Sequence, residues 1–173
     1  MENMNMIKID FMLILALLLA GVSANAGDIP EKGKPCLVTF WFNSCKFCIQ
    51  ELDAVAEKYE QWNKEIPFKI IAVNTDSQRT IARAKALAAS HNWENFEMVW
   101  DTNGELRRKY NVVYFPFYML FDKNGKLVYS HNGYSPGDEL KLYEKLKNLK
   151  PKGYPPTHPP VAVPHGWREE VSK

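Results

Sequence analysis

The sequence predicts an α/β fold, a central mixed β-sheet flanked by helices. Three observations lead there. Apolar runs of strand length alternate with amphipathic helical stretches in the first half, in the order strand–helix–strand–helix. That order makes parallel strands joined by right-handed crossovers. Two further strand-like runs follow, separated by Asp122-Lys123-Asn124-Gly125, which reads as a hairpin turn. Finally, 173 residues with 46% hydrophobic and 13% aromatic content suffice for one sizeable core and are short for two domains.

The elements follow in chain order. Residues 35–42, PCLVTFWF, are almost continuously apolar and read as a buried central strand. Asn43-Ser44 is a turn and capping signal. Cys48, Leu52, Val55, Tyr59 and Trp62 are then spaced four, three, four and three, one face of a helix ending before Pro67. Residues 68–73, FKIIAV, make a second buried strand, and Asn74, Thr75, Asp76 and Ser77 supply caps for a second helix from Arg79 to about His91. A short strand is expected over 96–100, a turn over 101–104 and a short helix over 105–110. A strand over 117–121 returns through the hairpin into a partner over 126–130, with positive φ expected at Asn-Gly. Ser135 as cap and Pro136 at the first helical position open a last helix to about Leu149. Its apolar face is read as Leu140, Tyr143, Leu146 and Leu149.

Both ends depart from this pattern. Lys8, the apolar run Phe11–Ala20 and Ala24-Asn25-Ala26 have the order of an export signal, so residues 1–26 are set apart from the fold. An uncleaved membrane anchor is the alternative, although the run is short of the roughly 20 apolar residues a span requires. Either reading places a domain over 27–150 outside the cytoplasm, in the periplasm or secreted. Residues 151–173 are proline-rich and read as an extended tail. Net charge is +2 with both signs mixed, so no basic stripe invites nucleic acid.

Three cysteines are too few for a disulfide-stapled scaffold, and two of them form Cys45-Lys46-Phe47-Cys48 between a buried strand and an amphipathic helix. A strand-to-helix turn puts Cys45 at a helix N-terminus, where it is expected to be exposed beside unpaired N–H groups and the positive end of the helix dipole. Both stabilise a thiolate. Cys48, one turn on, faces the core and can resolve a mixed disulfide. Lys46 adds a nearby cation. Half of a zinc site is the first alternative, but it needs two more ligands, and His91, His131, His158 and His165 lack the close pair spacing. A purely structural disulfide is the second, and one closing so short a loop adds little stability. Cys36 lies on the first strand as a small buried hydrophobe. Trp41, mid-strand, is read as core with a supporting role near the pair.

The stretch Phe40-Trp41-Phe42-Asn43-Ser44-Cys45-Lys46-Phe47-Cys48-Ile49-Gln50-Glu51-Leu52 resembles the active-site segment of the thioredoxin superfamily, in particular its extracytoplasmic TlpA/ResA-like branch. The aromatic-Trp pair before the motif and Glu51, three residues after the second cysteine, match that branch. Tyr114-Phe115-Pro116-Phe117 sits where the family has a cis-proline, and the resemblance covers about residues 33–149. It implies a thioredoxin fold and a thiol–disulfide oxidoreductase whose redox centre is the Cys45–Cys48 pair, with no other cofactor and no metal. It also implies that Phe115 and Pro116 dock the substrate peptide and that Pro116 keeps metals from the thiols. A reductant is implied, acting as a monomer on protein disulfides such as those at haem-attachment sites, and fed by a membrane electron donor.

Three residues depart from the family pattern. Ser44 stands where Trp is usual, Asp53 where many members carry a kinking Pro, and Thr39 where thioredoxins bury a proton-relaying acid. Thr39 cannot ionise. Glu51 is the candidate substitute, the alternative being a solvated helix carboxylate. The rival functions are a disulfide-forming oxidant of the same fold and, from another class, a copper carrier using the thiols. An isomerase lacks its separate dimerisation domain here, and a thiol peroxidase does not usually carry a resolving cysteine at this spacing.

Overall fold

Alternation of fully apolar and amphipathic segments produces a five-stranded sheet of order β3-β2-β1-β4-β5. The computed structural model describes residues 29, 30 and 32–150. The export signal read over 1–26 and the tail read over 151–173 lie outside the described residues. The strands are β1 (Cys36–Trp41), β2 (Lys69–Asn74), β3 (Glu97–Trp100), β4 (Phe117–Phe121) and β5 (Leu127–Asn132). The helices are α1 (Lys46–Glu65), α2 (Ile81–Ser90), α3 (Glu105–Lys109) and α4 (Asp138–Lys147). β1, β2 and β3 are parallel, while β4 runs antiparallel to β1 and β5 antiparallel to β4.

Every residue of β1 is buried, as its unbroken apolar run requires of a central strand covered on both faces. Side chains alternate between faces. Leu37 and Trp41 enter a core with Leu52, Val55 and Trp62 of α1, Ala84 of α2 and Leu142 and Leu146 of α4. Val38 and Phe40 enter a second core with Leu106 of α3, Val112 and Phe121. The two right-handed crossovers, β1–α1–β2 and β2–α2–β3, step in the same direction across the sheet, so both helices cover one face. The return from β3 to β4 carries α3 across the other.

Three local expectations are corrected. α4 begins at Asp138 with Gly137 as N-cap, not at Pro136 behind Ser135. Its buried positions are Asp138, Leu142 and Leu146, and Leu140 is 55% exposed. Spacings of three lag the helix by about 60° each, so the set 140–143–146–149 drifts off the face that the four-residue step 142–146 defines. In the hairpin only Gly125 has positive φ, and the register shifts at Leu120/Phe121. Asp122 holds this bulged turn, its Oδ1 accepting from Asn124 N and Lys126 N, both at 2.9 Å.

Among the described residues no helix is long and apolar enough to cross a membrane. Cys36 is buried at the start of β1, the end of the strand opposite the Cys45–Cys48 pair.

Candidate active site

β1 ends at Trp41, and the chain reaches Cys45 through Phe42, Asn43 and Ser44. This loop is clamped from one side by the segment after β2. Thr75 N donates to Trp41 O at 2.9 Å. Asp76 accepts from Asn43 N at 2.7 Å and from the Asn43 side-chain amide. Asn74 Nδ2 donates to the same carboxylate at 2.9 Å, and Asp76 N donates back to Asn74 Oδ1 at 3.0 Å. Asn74 and Asp76 are buried, which such mutual bonding makes tolerable. The sequence reading took 74–77 as caps for α2. Instead Thr80 is that N-cap, without a side-chain capping bond, and the polar run braces the active loop.

The other side of the loop is closed by the segment entering β4. The Phe115 ring meets Phe42 edge-on at 5.1 Å, with the Arg107 guanidinium carbon 5.2 Å from its centroid. The Phe115–Pro116 peptide is cis. The antiparallel register Phe40↔Phe117 sets Pro116 beside the end of β1, against the loop that leads to the cysteines.

Cys45, rather than Asn43 or Ser44, is the N-cap of α1, with φ −86° and ψ 96°. Its Sγ accepts from Cys48 N at 3.2 Å, so the sulfur occupies the place a capping oxygen would take. Cys45 and Cys48 are joined in a disulfide. Cys45 is only 8% exposed, a correction to the open position expected of it. Its sulfur is turned toward Cys48 and the helix N-terminus, while Ser44, Lys46 and Phe47 around it are exposed. Cys48 is buried. Among the described residues no group of three or more His, Cys, Asp or Glu is placed to hold a metal ion.

Glu51 lies one turn beyond Cys48 and is 4% exposed, which removes the solvated-carboxylate reading. Thr39 Oγ1 donates to its Oε1 at 2.8 Å. Burial pushes its carboxyl up to about 8. The Thr39 hydrogen bond opposes that rise, and the charge of Asp138 adds to it. Its Oε2 and the Nε1 of Trp41 are the buried side-chain polar atoms that lack a hydrogen-bond partner among the described residues. Trp41 itself is core, meeting Trp93 edge-on at 5.2 Å and Trp100 at 6.4 Å.

Sequence reasoning missed the clamp of Asn43, Asn74 and Asp76, because three polar residues after a strand look alike whether they cap a helix or bond across the sheet. It left Glu51 undecided although the signal was present. Glu51 stands three residues after Cys48 and four before Val55, inside the apolar stripe that identifies α1.

A mixed sheet of this order, with a cysteine pair at the first turn of the helix after its central strand and a cis-proline beside the end of that strand, defines a thioredoxin fold. A family model described as the AhpC/TSA family matches residues 15–130, and the chain belongs to that family. It is 31% identical over 120 residues to the thiol-disulfide oxidoreductase ResA of Bacillus thuringiensis, a match covering 69% of this chain and 66% of that protein. A solved thioredoxin-like protein from Porphyromonas gingivalis is similar at 37% identity and TM-score 0.63, over 71% of this chain and 80% of that one. A structure from Chlorobium tepidum, assigned as the thiol:disulfide interchange protein DsbE, aligns at 27% identity and TM-score 0.58, over 68% and 81%.

Proposed function

We propose that this protein is an extracytoplasmic thiol–disulfide oxidoreductase that reduces protein disulfides through Cys45 and Cys48. The observation that carries the reading is the disulfide at the N-cap of α1 with the buried Glu51 one turn behind it. The relatives' names point to the same chemistry.

The reaction starts from the reduced pair. Cys45 Sγ, as a thiolate favoured by the helix N-terminus and by exposed Lys46 beside it, attacks one sulfur of a substrate disulfide. A mixed disulfide forms and one substrate thiolate leaves. The Cys48 thiol passes its proton to the Glu51 carboxylate and attacks Cys45 Sγ. The second substrate thiolate leaves, and the Cys45–Cys48 disulfide has formed. Two electrons have moved from the pair to the substrate. A carboxyl poised near 8 takes and returns a proton at neutral pH, which a carboxyl at its ordinary value does poorly. This is the role that Thr39 cannot fill. A dithiol donor in the membrane restores the reduced state.

Substrate docking falls to the surface around the pair. Phe47, Val113 and Tyr114 are exposed large apolar residues, at 56%, 59% and 71%. With Phe115 and Pro116 they offer an apolar seat for an extended peptide carrying the target cysteine. Trp41 supports the loop from within the core.

The test is to replace Cys48 by Ala and trap mixed disulfides at Cys45 in cells, while the wild type is equilibrated against glutathione. Trapped protein partners and a potential below about −250 mV are expected for a reductant, whereas a value near about −120 mV marks an oxidant. A variant that traps nothing, in a wild type that binds copper tightly, overturns the oxidoreductase reading in favour of a carrier.

A further inference from the structure

Glu51 is the inner end of a row of polar side chains crossing the sheet. The registers Thr39↔Tyr118 and Tyr118↔His131 place three residues side by side on β1, β4 and β5. Residues paired in register project from the same face, and Thr39 shows which one by reaching Glu51 under α1. The Tyr118 and His131 rings lie 5.5 Å apart. His131 Nε2 stands 3.6 Å from Asp138 Oδ2 at the start of α4. The row therefore runs Glu51–Thr39–Tyr118–His131–Asp138, from the interior to the protein's margin.

The outer end is a built charge site. The Asp138 side chain is 11% exposed. It accepts from Ser135 N at 2.8 Å and from Lys141 Nζ at 2.7 Å, and these bonds hold it ionised. The groups facing Glu51 come from each packed element. Thr39 of β1 donates to it and Tyr118 of β4 lies in register with Thr39, while Tyr134 of the loop before α4, whose hydroxyl donates to Glu139, and Asp138 of α4 act on it through charge. Tyr118 and Tyr134 are neutral at working pH because burial raises both phenols. Asp138 is thus the anion of the set, and its cationic partner Lys141 partly cancels it. A like charge disfavours ionisation of a neighbouring carboxyl, and in a low-dielectric interior it does so at longer range than in water.

We infer that Asp138, balanced by Lys141, is a positioning residue that sets the proton affinity of Glu51 from the start of α4, and with it the pH at which Cys48 is deprotonated. The inference rests on Glu51 as proton acceptor for Cys48, and the two are separable by experiment. Asp138 touches neither substrate nor sulfur. It acts through Glu51.

The test is a carbon-13 NMR titration of the Glu51 carboxyl in the full-length oxidised protein. Asp138→Asn is expected to lower the midpoint by about half a unit to one unit, and Lys141→Met to raise it. Opposite signs from two substitutions at one site are not produced by a generic loosening of α4. Asp122→Asn, a surface carboxylate in the hairpin, serves as control and leaves the midpoint in place. The mixed-disulfide resolution rate shifts its pH profile in the same directions. Equal midpoints in wild type, Asp138→Asn and Lys141→Met, with all three folded, overturn the inference. If the midpoints move as stated but the resolution profile ignores both them and Glu51→Gln, the tuning stands and the proton-acceptor role of Glu51 falls.

Discussion

Two carboxylates two residues apart on α1 have opposite surroundings. Glu51 points into the core, with one hydrogen bond from Thr39 and a second oxygen that has no partner among the described residues. Asp53 is near the surface, where its Oδ1 meets His91 Nδ1 at 2.7 Å and accepts from Trp93 Nε1 at 2.9 Å. Glu51 matches the pattern the sequence resembles, whereas Asp53 departs from it, and the two have different consequences. A two-residue step turns a helix by about 200°, so one residue is aimed at Thr39 of β1 and the other at the loop following α2. Asp53 ties α1 to the stacked His91–Trp93 pair, whose Trp93 edge rests on Trp41. Under-satisfied Glu51 fits the proton-transfer role proposed for it, and well-bonded Asp53 fits a structural one.

The largest way to sharpen this contrast is through pH. A carboxyl whose folded value lies near 8, above its unfolded value of 4.5, binds a proton in the folded state over a window where the unfolded chain does not. Its stabilising effect is full below the unfolded value and is lost as pH rises toward 8. Urea denaturation of the oxidised protein should show stability falling between about pH 5 and 8 by at most about 1.4 kcal/mol per unit from this group. Glu51→Gln should flatten that fall, and Asp53→Asn should leave it.

Kinetics provides the next test. Glu51→Gln should slow resolution of the mixed disulfide by about 10- to 100-fold at neutral pH. Asp53→Asn should stay within about twofold. Equal losses in a stopped-flow assay break the distinction. Stability then reverses the ranking: Asp53→Ala should cost about 1–2 kcal/mol, because it strips buried Trp93 of its indole partner. Chemical denaturation followed by tryptophan fluorescence measures this. The smallest expected effect belongs to Thr39→Val. Removing the donor that favours the charged form raises the Glu51 midpoint further, in the same carbon-13 titration, at a stability cost of about 1 kcal/mol.

The β1–α1–β2 unit was legible because burial dictates its composition. A strand covered on both faces must be apolar throughout, and a helix on a sheet must repeat at three and four. The cysteine pair was legible from its place between them. Less legible was α4, where Leu140, Leu142, Tyr143 and Leu146 offer two overlapping stripes and only the sheet beneath decides between them. The clamp of Asn43, Asn74 and Asp76 was not legible, since its bonds join residues 33 positions apart. The row from Thr39 to His131 needs strand register, which side-chain pattern alone does not supply for residues so far apart in sequence.

The Asp76 clamp on one flank of the loop and the Phe42–Phe115 contact on the other give the catalytic sulfurs a stiff mounting. A stiff tool requires a pliable workpiece. If the proposed exchange at Cys45 holds, the adaptation falls to the substrate, and a target cysteine on chain that can bend would meet the sulfur more readily than one sealed within a completed domain.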